Sequence, residues 1–253
     1  MRFENTKVMN FEGALRGMRN PIHSGGKSDS GICKGGDTGI GCEHCAEQTK
    51  CKHTYNHAFK IGKNDMKLAQ QLIIAGSEHR KFMRQILVSV DITAPLFWWE
   101  EFDRYKTGVT TNGCPTIHIL ATTPINTDCF ECEDMEGFYG NVKQEDNKVE
   151  ISEFERFKEI VSYCEDLRMK YLDTKDKKYW RTLIETLPES WLQTRTVTMS
   201  YENLLAMCGK GQRRFHKLYE WSGQDDNEKP DFISWARTLP YAQELIFIDE
   251  VEA

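Results

Sequence analysis

Apolar residues recur at helical spacing soon after residue 62. Asn64 is a suitable N-cap, and the apolar positions that follow it share one broad face, which Gly76 can end. These positions are Met66, Leu68, Ala69, Leu72, Ile73 and Ile74. A second helix is predicted from about Ser77, because the carboxylate of Glu78 would stabilise the positive end of the helix dipole.

A strand and a helix are predicted next. Ile86 to Ile92 (ILVSVDI) is short and rich in β-branched residues, as is typical of a buried strand. Leu96 to Lys106 (LFWWEEFDRYK) predicts a helix whose aromatic residues share an apolar side, with Glu101 and Arg104 toward another side.

Helical patterns dominate the second half of the chain. Helices are predicted near Ser152 to Lys170, near Lys177 to Leu187, over Tyr201 to Met207, and near Phe232 to Leu239. A strand or turn is predicted around Arg195 to Met199, where Val and Thr alternate.

The remaining segments contain the residues that favour turns and loops. Residues 1 to 30 lack periodicity and include NPIHSGGKSDSG, and residues 31 to 62 continue with Gly and Cys, so both stretches are predicted to be irregular. Gly108 to Pro115 is predicted to be a loop, residues 121 to 148 a polar connection, and CGKGQRRFHK a basic loop rich in Gly.

Composition favours one compact domain over residues 1 to 253. The chain is 39% hydrophobic and carries a formal net charge of −6, which is compatible with a core of ordinary size. No run reaches the roughly 20 apolar residues of a membrane helix, and the first residues lack the layout of a signal peptide. Nine Cys, unevenly spaced, favour thiols in a reducing compartment, so a soluble cytoplasmic protein is expected. The acidic balance argues against general binding to nucleic acid.

A Cys/His-rich loop, residues 31 to 57, is the candidate metal site. Its potential ligands are Cys33, Cys42, Cys45, Cys51, His53 and His57. Cys42 and Cys45 have the spacing that chelates one tetrahedral ion, and Cys51 with His53 or Cys33 would complete a closed structural zinc site. The alternatives are a reduced surface loop and a site completed by Cys129-x-x-Cys132, which has the same spacing.

The segment Ala94 to His118 concentrates residues suited to a nucleotide. Its cations Arg104 and Lys106, with Arg195 and the Arg213-Arg214 pair elsewhere, are the best phosphate ligands of an acidic chain. The loop TGVTTNGC permits close approach of backbone N–H groups. Three aromatic residues, Trp98, Trp99 and Tyr105, offer a stacking wall for a planar ring. The alternative is a solvated helix end above aromatic core residues.

This segment resembles the signature of the flavin-dependent thymidylate synthases. That signature contains an Arg-His-Arg triplet, to which Arg104, Tyr105 and Lys106 correspond, and a second Ser, to which Cys114 corresponds. Further elements follow in the family's order and span about residues 78 to 221. They are Glu78-His79 with Phe82, Leu187-Pro188, Thr194-Arg195, Asn203-Leu204 and Arg213. Val109, Thr111 and Thr116 stand where the signature has Ser, Asn and Arg.

The resemblance implies an α+β fold, in which a small twisted sheet packs with several helices beside the irregular Cys-rich loop. It implies conversion of dUMP to dTMP with methylenetetrahydrofolate, NADPH and FAD, in a homotetramer whose active sites form between subunits. The residues expected to border FAD are Glu78, His79, Arg104, Tyr105, Lys106 and Arg213. Glu101, Cys114 and Arg195 are expected to border the nucleotide, with Arg195 at its phosphate.

The departures from the signature leave several hypotheses open. Glu101 stands where the family commonly has Gln, and a carboxylate accepts a hydrogen bond from the amino group of cytosine but not from a uracil carbonyl. Cys114 is a candidate nucleophile toward C6 of a pyrimidine if nearby Lys106 or a backbone nest lowers its pKa, and a small buried residue otherwise. A non-catalytic nucleotide-binding or zinc-stabilised relative is the alternative from another class. A nucleic-acid binder that uses the zinc loop and GKGQRR is the least favoured.

Overall fold

The protein folds as a mixed α+β structure. The computed structural model describes residues 1–32, 59–105, 107–140, 151–223 and 229–250. Its strands are β1 (Arg2–Met9), β2 (Gly31–Ile32), β3 (Phe59–Lys60), β4 (Leu87–Pro95), β5 (Thr110–Gly113) and β6 (Leu192–Ser200). A four-stranded sheet has the order β1-β4-β6-β5, and β2 pairs with β3 in an antiparallel ribbon. The α+β fold predicted from the sequence is confirmed.

Eleven α-helices lie in the described part of the chain. They are α1 (Phe11–Arg19), α2 (Lys63–Ile74), α3 (Leu96–Phe102), α4 (Thr116–Ile119), α5 (Glu153–Thr174), α6 (Lys177–Thr186), α7 (Tyr201–Met207), α8 (Lys210–Phe215), α9 (Tyr219–Ser222), α10 (Phe232–Arg237) and α11 (Ala242–Leu245). None of these helices is both long and apolar enough to cross a membrane.

The backbone divides into two compact units. Unit 1 consists of Met1–Arg2, Asp91–Arg104 and Thr111–Thr196, and unit 2 consists of Phe3–Val90, Tyr105–Thr110 and Val197–Ala253. Neither unit is one continuous segment. The single domain over residues 1 to 253 stays a prediction.

The core of unit 1 forms around the helical pair α5 and α6. Its buried side chains are Leu120, Ile125, Phe130, Cys132, Phe157, Val161, Cys164, Leu167, Leu183 and Trp191. Ser152 caps α5 by accepting a hydrogen bond from the backbone N–H of Glu155. The carboxylate of Glu165 receives two bonds from Arg168, of 2.6 and 2.7 Å, and a third from the backbone N–H of Ile125. This network fixes the segment before residue 125 against α5.

Unit 2 contains the helices at both ends of the chain. Ser200 and Asn203 form a reciprocal capping box at the start of α7, so two otherwise unpaired N–H groups are satisfied. The carboxylate of Asp65 is fully buried and is bound by Arg19, Ser28 and Ser30. This polar network connects α1 and α2 with the segment that precedes β2.

Four predicted elements differ from the structure. Residues 1 to 30 contain β1 and α1 rather than a loop. The sequence did not indicate β1, because this strand is mostly exposed and shows no alternation of apolar and polar residues. The predicted helix after Ser77 is a short 3-10 helix, Lys81–Gln85. The predicted loop from Gly108 to Pro115 contains β5, and the predicted basic loop contains α8.

Candidate functional site

Arg195 lies on β6 in unit 1 and is fixed on three sides. Its Nε donates a hydrogen bond of 2.7 Å to Oε1 of Gln193, and its Nη1 lies 3.4 Å from each carboxylate oxygen of Asp103. The guanidinium carbon lies 4.3 Å from the centroid of the Trp99 ring, within cation–π distance. Its Nη2 has no hydrogen-bond partner among the described residues, so this nitrogen can donate to an anion.

Gln193 ties Arg195 to the turn that follows β5. Its side chain is 8% exposed, and its Nε2 donates a bond of 2.9 Å to the carbonyl oxygen of Cys114 and a longer one, of 3.5 Å, to Oγ1 of Thr116. Since Gln193 and Arg195 are two residues apart, both side chains project from the same face of β6. Gln193 therefore fixes both the guanidinium and the turn that carries Cys114.

Gly113, at the end of β5, allows β5 and β6 to approach each other closely. A Cβ atom at Gly113 would lie 2.6 Å from Cγ of Arg195 and 3.0 Å from the carbonyl oxygen of Thr194. The first of these distances is shorter than side chains tolerate, so the arginine would have to move. The position requires glycine because β5 and β6 approach closely here.

The end of α3 supplies the acidic side of the site in unit 1. Glu101 is paired with Arg104, whose side chain is 74% exposed, at 2.8 Å. Asp103 follows α3 in a 3-10 turn, Asp103–Tyr105. Trp98 and Trp99 were predicted to form a stacking wall for a planar ring. They are buried instead, at 0% and 1% exposure, and pack on Phe102. Arg104 is thus an exposed cation at the end of α3, next to aromatic core residues. This arrangement agrees with the alternative interpretation of the sequence, a solvated helix end above aromatic core residues.

Cys114 is exposed on the turn between β5 and α4. Its Sγ lies 3.9 Å from the carbonyl oxygen of Pro115. Of the two groups predicted to activate Cys114, Lys106 lies outside the described residues. A nucleophilic role for Cys114 stays a prediction.

The residues of unit 2 that were predicted to border FAD differ in their exposure and in their partners. Glu78 is 80% exposed and pairs with Lys81, and His79 is exposed. The hydroxyl of Tyr105 accepts a hydrogen bond of 2.6 Å from Gln212. Glu78 and His79 are therefore accessible to a ligand, whereas Tyr105 is half-buried and its ring centroid lies 5.2 Å from that of Trp221.

Arg213, also in unit 2, is engaged at all three of its nitrogen atoms. Nη1 donates to the carbonyl oxygen of Cys208 at 2.6 Å, while Nη2 and Nε pair with Asp249 and Glu250. The side chain is only 13% exposed. Arg213 thus stabilises the segment after α11, and its predicted contact with flavin stays a prediction.

The fold matches solved enzyme structures along nearly the whole chain. A flavin-dependent thymidylate synthase ThyX from Helicobacter pylori, complexed with FAD and dUMP, aligns at a TM-score of 0.57 and 15% identity, over 98% of this chain and 99% of that one. A second structure of ThyX from the same organism, with FAD and dUMP, gives 0.57 and 13% over 100% of both chains. The chain has the flavin-dependent thymidylate synthase fold. The resemblance found in the sequence is confirmed at the level of the fold.

The flavin-dependent thymidylate synthase fold is shared with a second enzyme. A UMP/dUMP methylase, PolB, from Streptomyces cacaoi, bound with 5-Br dUMP, aligns at a TM-score of 0.52 and 12% identity, over 98% of this chain and 94% of that one. No family model matches the sequence, and no curated protein matches it.

The predicted zinc ligands Cys33, Cys42, Cys45, Cys51 and His53 lie outside the described residues. Of the alternative pair, Cys132 is buried and its Sγ lies 3.8 Å from the carbonyl oxygen of Thr127. Cys129 is half-buried, and its Sγ lies 3.5 Å from the side-chain oxygen of Asn126. The described residues contain no group of three or more potential metal ligands.

Sequence reasoning missed three residues of the site on this fold. They are Gln193, Asp103 and Gly113. The two-residue spacing between Gln193 and Arg195 on a strand is a signal that could have identified the first. Asp103 and Gly113 gave no such signal, because their roles depend on how close β5, β6 and the end of α3 come to one another.

Proposed function

We propose that the protein is a divergent flavin-dependent thymidylate synthase that methylates a pyrimidine deoxynucleotide, converting dUMP to dTMP with methylenetetrahydrofolate and NADPH. The observation that carries the proposal is the fixed guanidinium of Arg195, whose Nη2 has no partner among the described residues, on a strand of this fold. A planar guanidinium held in one orientation suits a phosphate group, because it can donate two parallel hydrogen bonds.

The residues of unit 1 suggest how a nucleotide would be oriented. Arg195 would bind the 5′-phosphate, and the carboxylate of Glu101, held by Arg104, would border the base. Cys114 lies on the turn that Gln193 fixes relative to Arg195. The resemblance implies no lasting covalent adduct, so the expected role of Cys114 is contact with the base.

The accessible groups of unit 2 fit part of a flavin site. Exposed Glu78 and His79 have the hydrogen-bonding chemistry that an adenine or ribose requires, and Tyr105 offers an aromatic ring. Arg213 fits less well, because its three nitrogen atoms are already bonded. The flavin, when bound, would supply hydride chemistry.

The purified protein tests this proposal directly. Its spectrum should show the flavin absorption bands, and it should release tritium from dUMP labelled at C5 when the folate and NADPH are present. Arg195→Met should abolish turnover at low dUMP concentration. The matched control is Arg181→Met, because Arg181 lies on α6 with its side chain 82% exposed. A colourless protein that takes up no FAD and binds no dUMP would refute the proposal.

A cytosine nucleotide is the second candidate substrate, and Glu101 is the observation that favours it. Its carboxylate accepts hydrogen bonds and donates none, which suits the amino group of cytosine. The wild type should then bind dCMP more tightly than dUMP, and Glu101→Gln should reverse the order. Equal binding of the two nucleotides by both proteins would remove this candidate.

A nucleotide-binding relative without catalytic activity is the third candidate, favoured by the engaged state of Arg213. Bound zinc in the Cys/His-rich loop, no flavin, and nucleotide binding without tritium release would support it. The resemblance also implies a homotetramer, which light scattering on the eluted protein tests. Turnover that requires the tetramer would favour the enzyme over this candidate.

A further inference from the structure

Asp103 occupies Nη1, one of the two terminal nitrogen atoms of Arg195 that a phosphate group could bind together. Within unit 1, Nη1 of Arg195 lies 3.4 Å from both carboxylate oxygens of Asp103. Asp103 is 34% exposed and Arg195 is 19% exposed, so the pair is accessible from solvent. Among the described residues, Asp103 is the one carboxylate that pairs with Arg195.

The contact between Arg195 and Asp103 is longer than the hydrogen bond between Arg195 and Gln193. Charged hydrogen bonds between nitrogen and oxygen are usually about 2.7–2.9 Å long, and the bond from Arg195 to Gln193 is 2.7 Å. The contact with Asp103 is 3.4 Å long, and Asp103 belongs to a single 3-10 turn. The carboxylate can therefore leave while Gln193 and Trp99 keep the guanidinium in place.

The charges around this position balance. Glu101 pairs with Arg104, and Asp103 pairs with Arg195, so these four side chains together carry no net charge. A phosphate bound at Nη1 of Arg195 would lie close to the carboxylate of Asp103. Two anions a few ångströms apart repel each other strongly in a partly desolvated site.

We propose that Asp103 is an internal counter-ion that a phosphate group must displace from Arg195, so that Asp103 weakens the binding of every ligand that carries a phosphate. Free phosphate then binds weakly, because it gains only the contacts of one guanidinium edge. A nucleotide gains contacts through its base and sugar as well, so it can displace the carboxylate. The proposal rests on the proposed function for the identity of the nucleotide, but its test with inorganic phosphate does not.

The test compares Asp103→Asn with the wild type by calorimetry, using inorganic phosphate, dUMP and deoxyuridine as separate ligands. The substitution keeps the shape of the side chain and removes its charge. Asp103→Asn should bind both phosphate and dUMP about tenfold more tightly, because it removes one like charge at short range. Its affinity for deoxyuridine should be unchanged, since that ligand carries no phosphate.

Asp173→Asn is the matched control, because it makes the same change of net charge at an exposed position near the end of α5. Unchanged or weaker phosphate binding by Asp103→Asn would overturn the proposal, and so would an equal gain in the control. A wild type that binds neither nucleotide nor nucleoside would instead refute the proposed function. In that case the phosphate measurement alone still decides the role of Asp103.

Discussion

Replacing Gln193 with Leu tests whether the amide sets the orientation of Arg195. Leu is apolar and of similar volume, so the change removes hydrogen bonds without a large cavity. The bonds lost are the 2.7 Å contact with Nε of Arg195 and the 2.9 Å contact with the carbonyl oxygen of Cys114. Both partners lie near solvent, because Arg195 is partly exposed and Cys114 is exposed.

The expected loss of stability is therefore modest. A buried group left unsatisfied costs about 1–3 kcal/mol, and access to water places each partner at the low end of that range. We expect Gln193→Leu to lower the free energy of unfolding by about 1–2 kcal/mol in urea titrations. We expect the affinity for dUMP to fall about tenfold, or about 1.4 kcal/mol, because Arg195 no longer has one fixed orientation.

Calorimetry with dUMP and with deoxyuridine distinguishes a loss of the orientation of Arg195 from a general disturbance of the fold. Loss for dUMP alone indicates that Gln193 orients Arg195, whereas equal loss for both ligands indicates a disturbed fold. Gln70→Leu is the control, because Gln70 is half-buried on α2 and makes a single long bond of 3.4 Å. Unchanged affinity for dUMP in Gln193→Leu would refute the reasoning.

Three further predictions concern the packing around the site, the buried carboxylate of Asp65 and the partly exposed carboxylate of Glu165. Gly113→Ala should displace the side chain of Arg195, with a stability loss of about 1–3 kcal/mol in thermal melting and a rise in KM for dUMP rather than a fall in kcat. Asp65→Asn should lower the free energy of unfolding by about 3–5 kcal/mol in urea, since it leaves the buried Arg19 without its counter-charge. Hydrogen bonds from Arg168 hold the pKa of Glu165 below its ordinary value. The ionised carboxylate of Glu165 therefore contributes fully to stability at pH values above the ordinary pKa of a glutamate. This contribution is lost as the pH falls through the lowered pKa. Glu165→Gln should accordingly flatten the acid side of the stability profile, and an unchanged profile would contradict this assignment.

Several helices that the sequence predicted well begin with a cap formed by their own residues. Ser152 begins α5 with a side-chain hydrogen bond, and Ser200 begins α7 with a capping box, so local residues determine where these helices begin. The strand around Arg195 was predicted too short, because Leu192 to Thr194 precede the β-branched run that marked it.

The missed N-terminal helix shows why local residues can mislead. The lack of periodicity in residues 1 to 30 and the turn formers of NPIHSGGKSDSG predicted a loop, whereas the two glycines of α1 are sites of close approach. A Cβ atom at Gly13 would lie 2.2 Å from Oδ1 of Asn10, and one at Gly17 would lie 2.9 Å from Oε1 of Gln85. The contact with Gln85 is distant in sequence, so its effect on Gly17 could not be predicted from local pattern.

Arg213 shows how a residue matched by motif can acquire a different environment, and it yields the last prediction. Its three nitrogen atoms bind Cys208, Asp249 and Glu250, and its guanidinium lies 5.4 Å from the ring centroid of Phe247. Arg213→Gln should lower the free energy of unfolding by about 1–3 kcal/mol, less than for a fully buried pair, because both carboxylates are partly exposed. If the role of Arg213 is structural, the fully folded variant should bind FAD as tightly as the wild type at low temperature. A loss of FAD affinity at a temperature where both proteins are folded would instead assign Arg213 to the flavin, and would require the ion pairs with Asp249 and Glu250 to open when FAD binds.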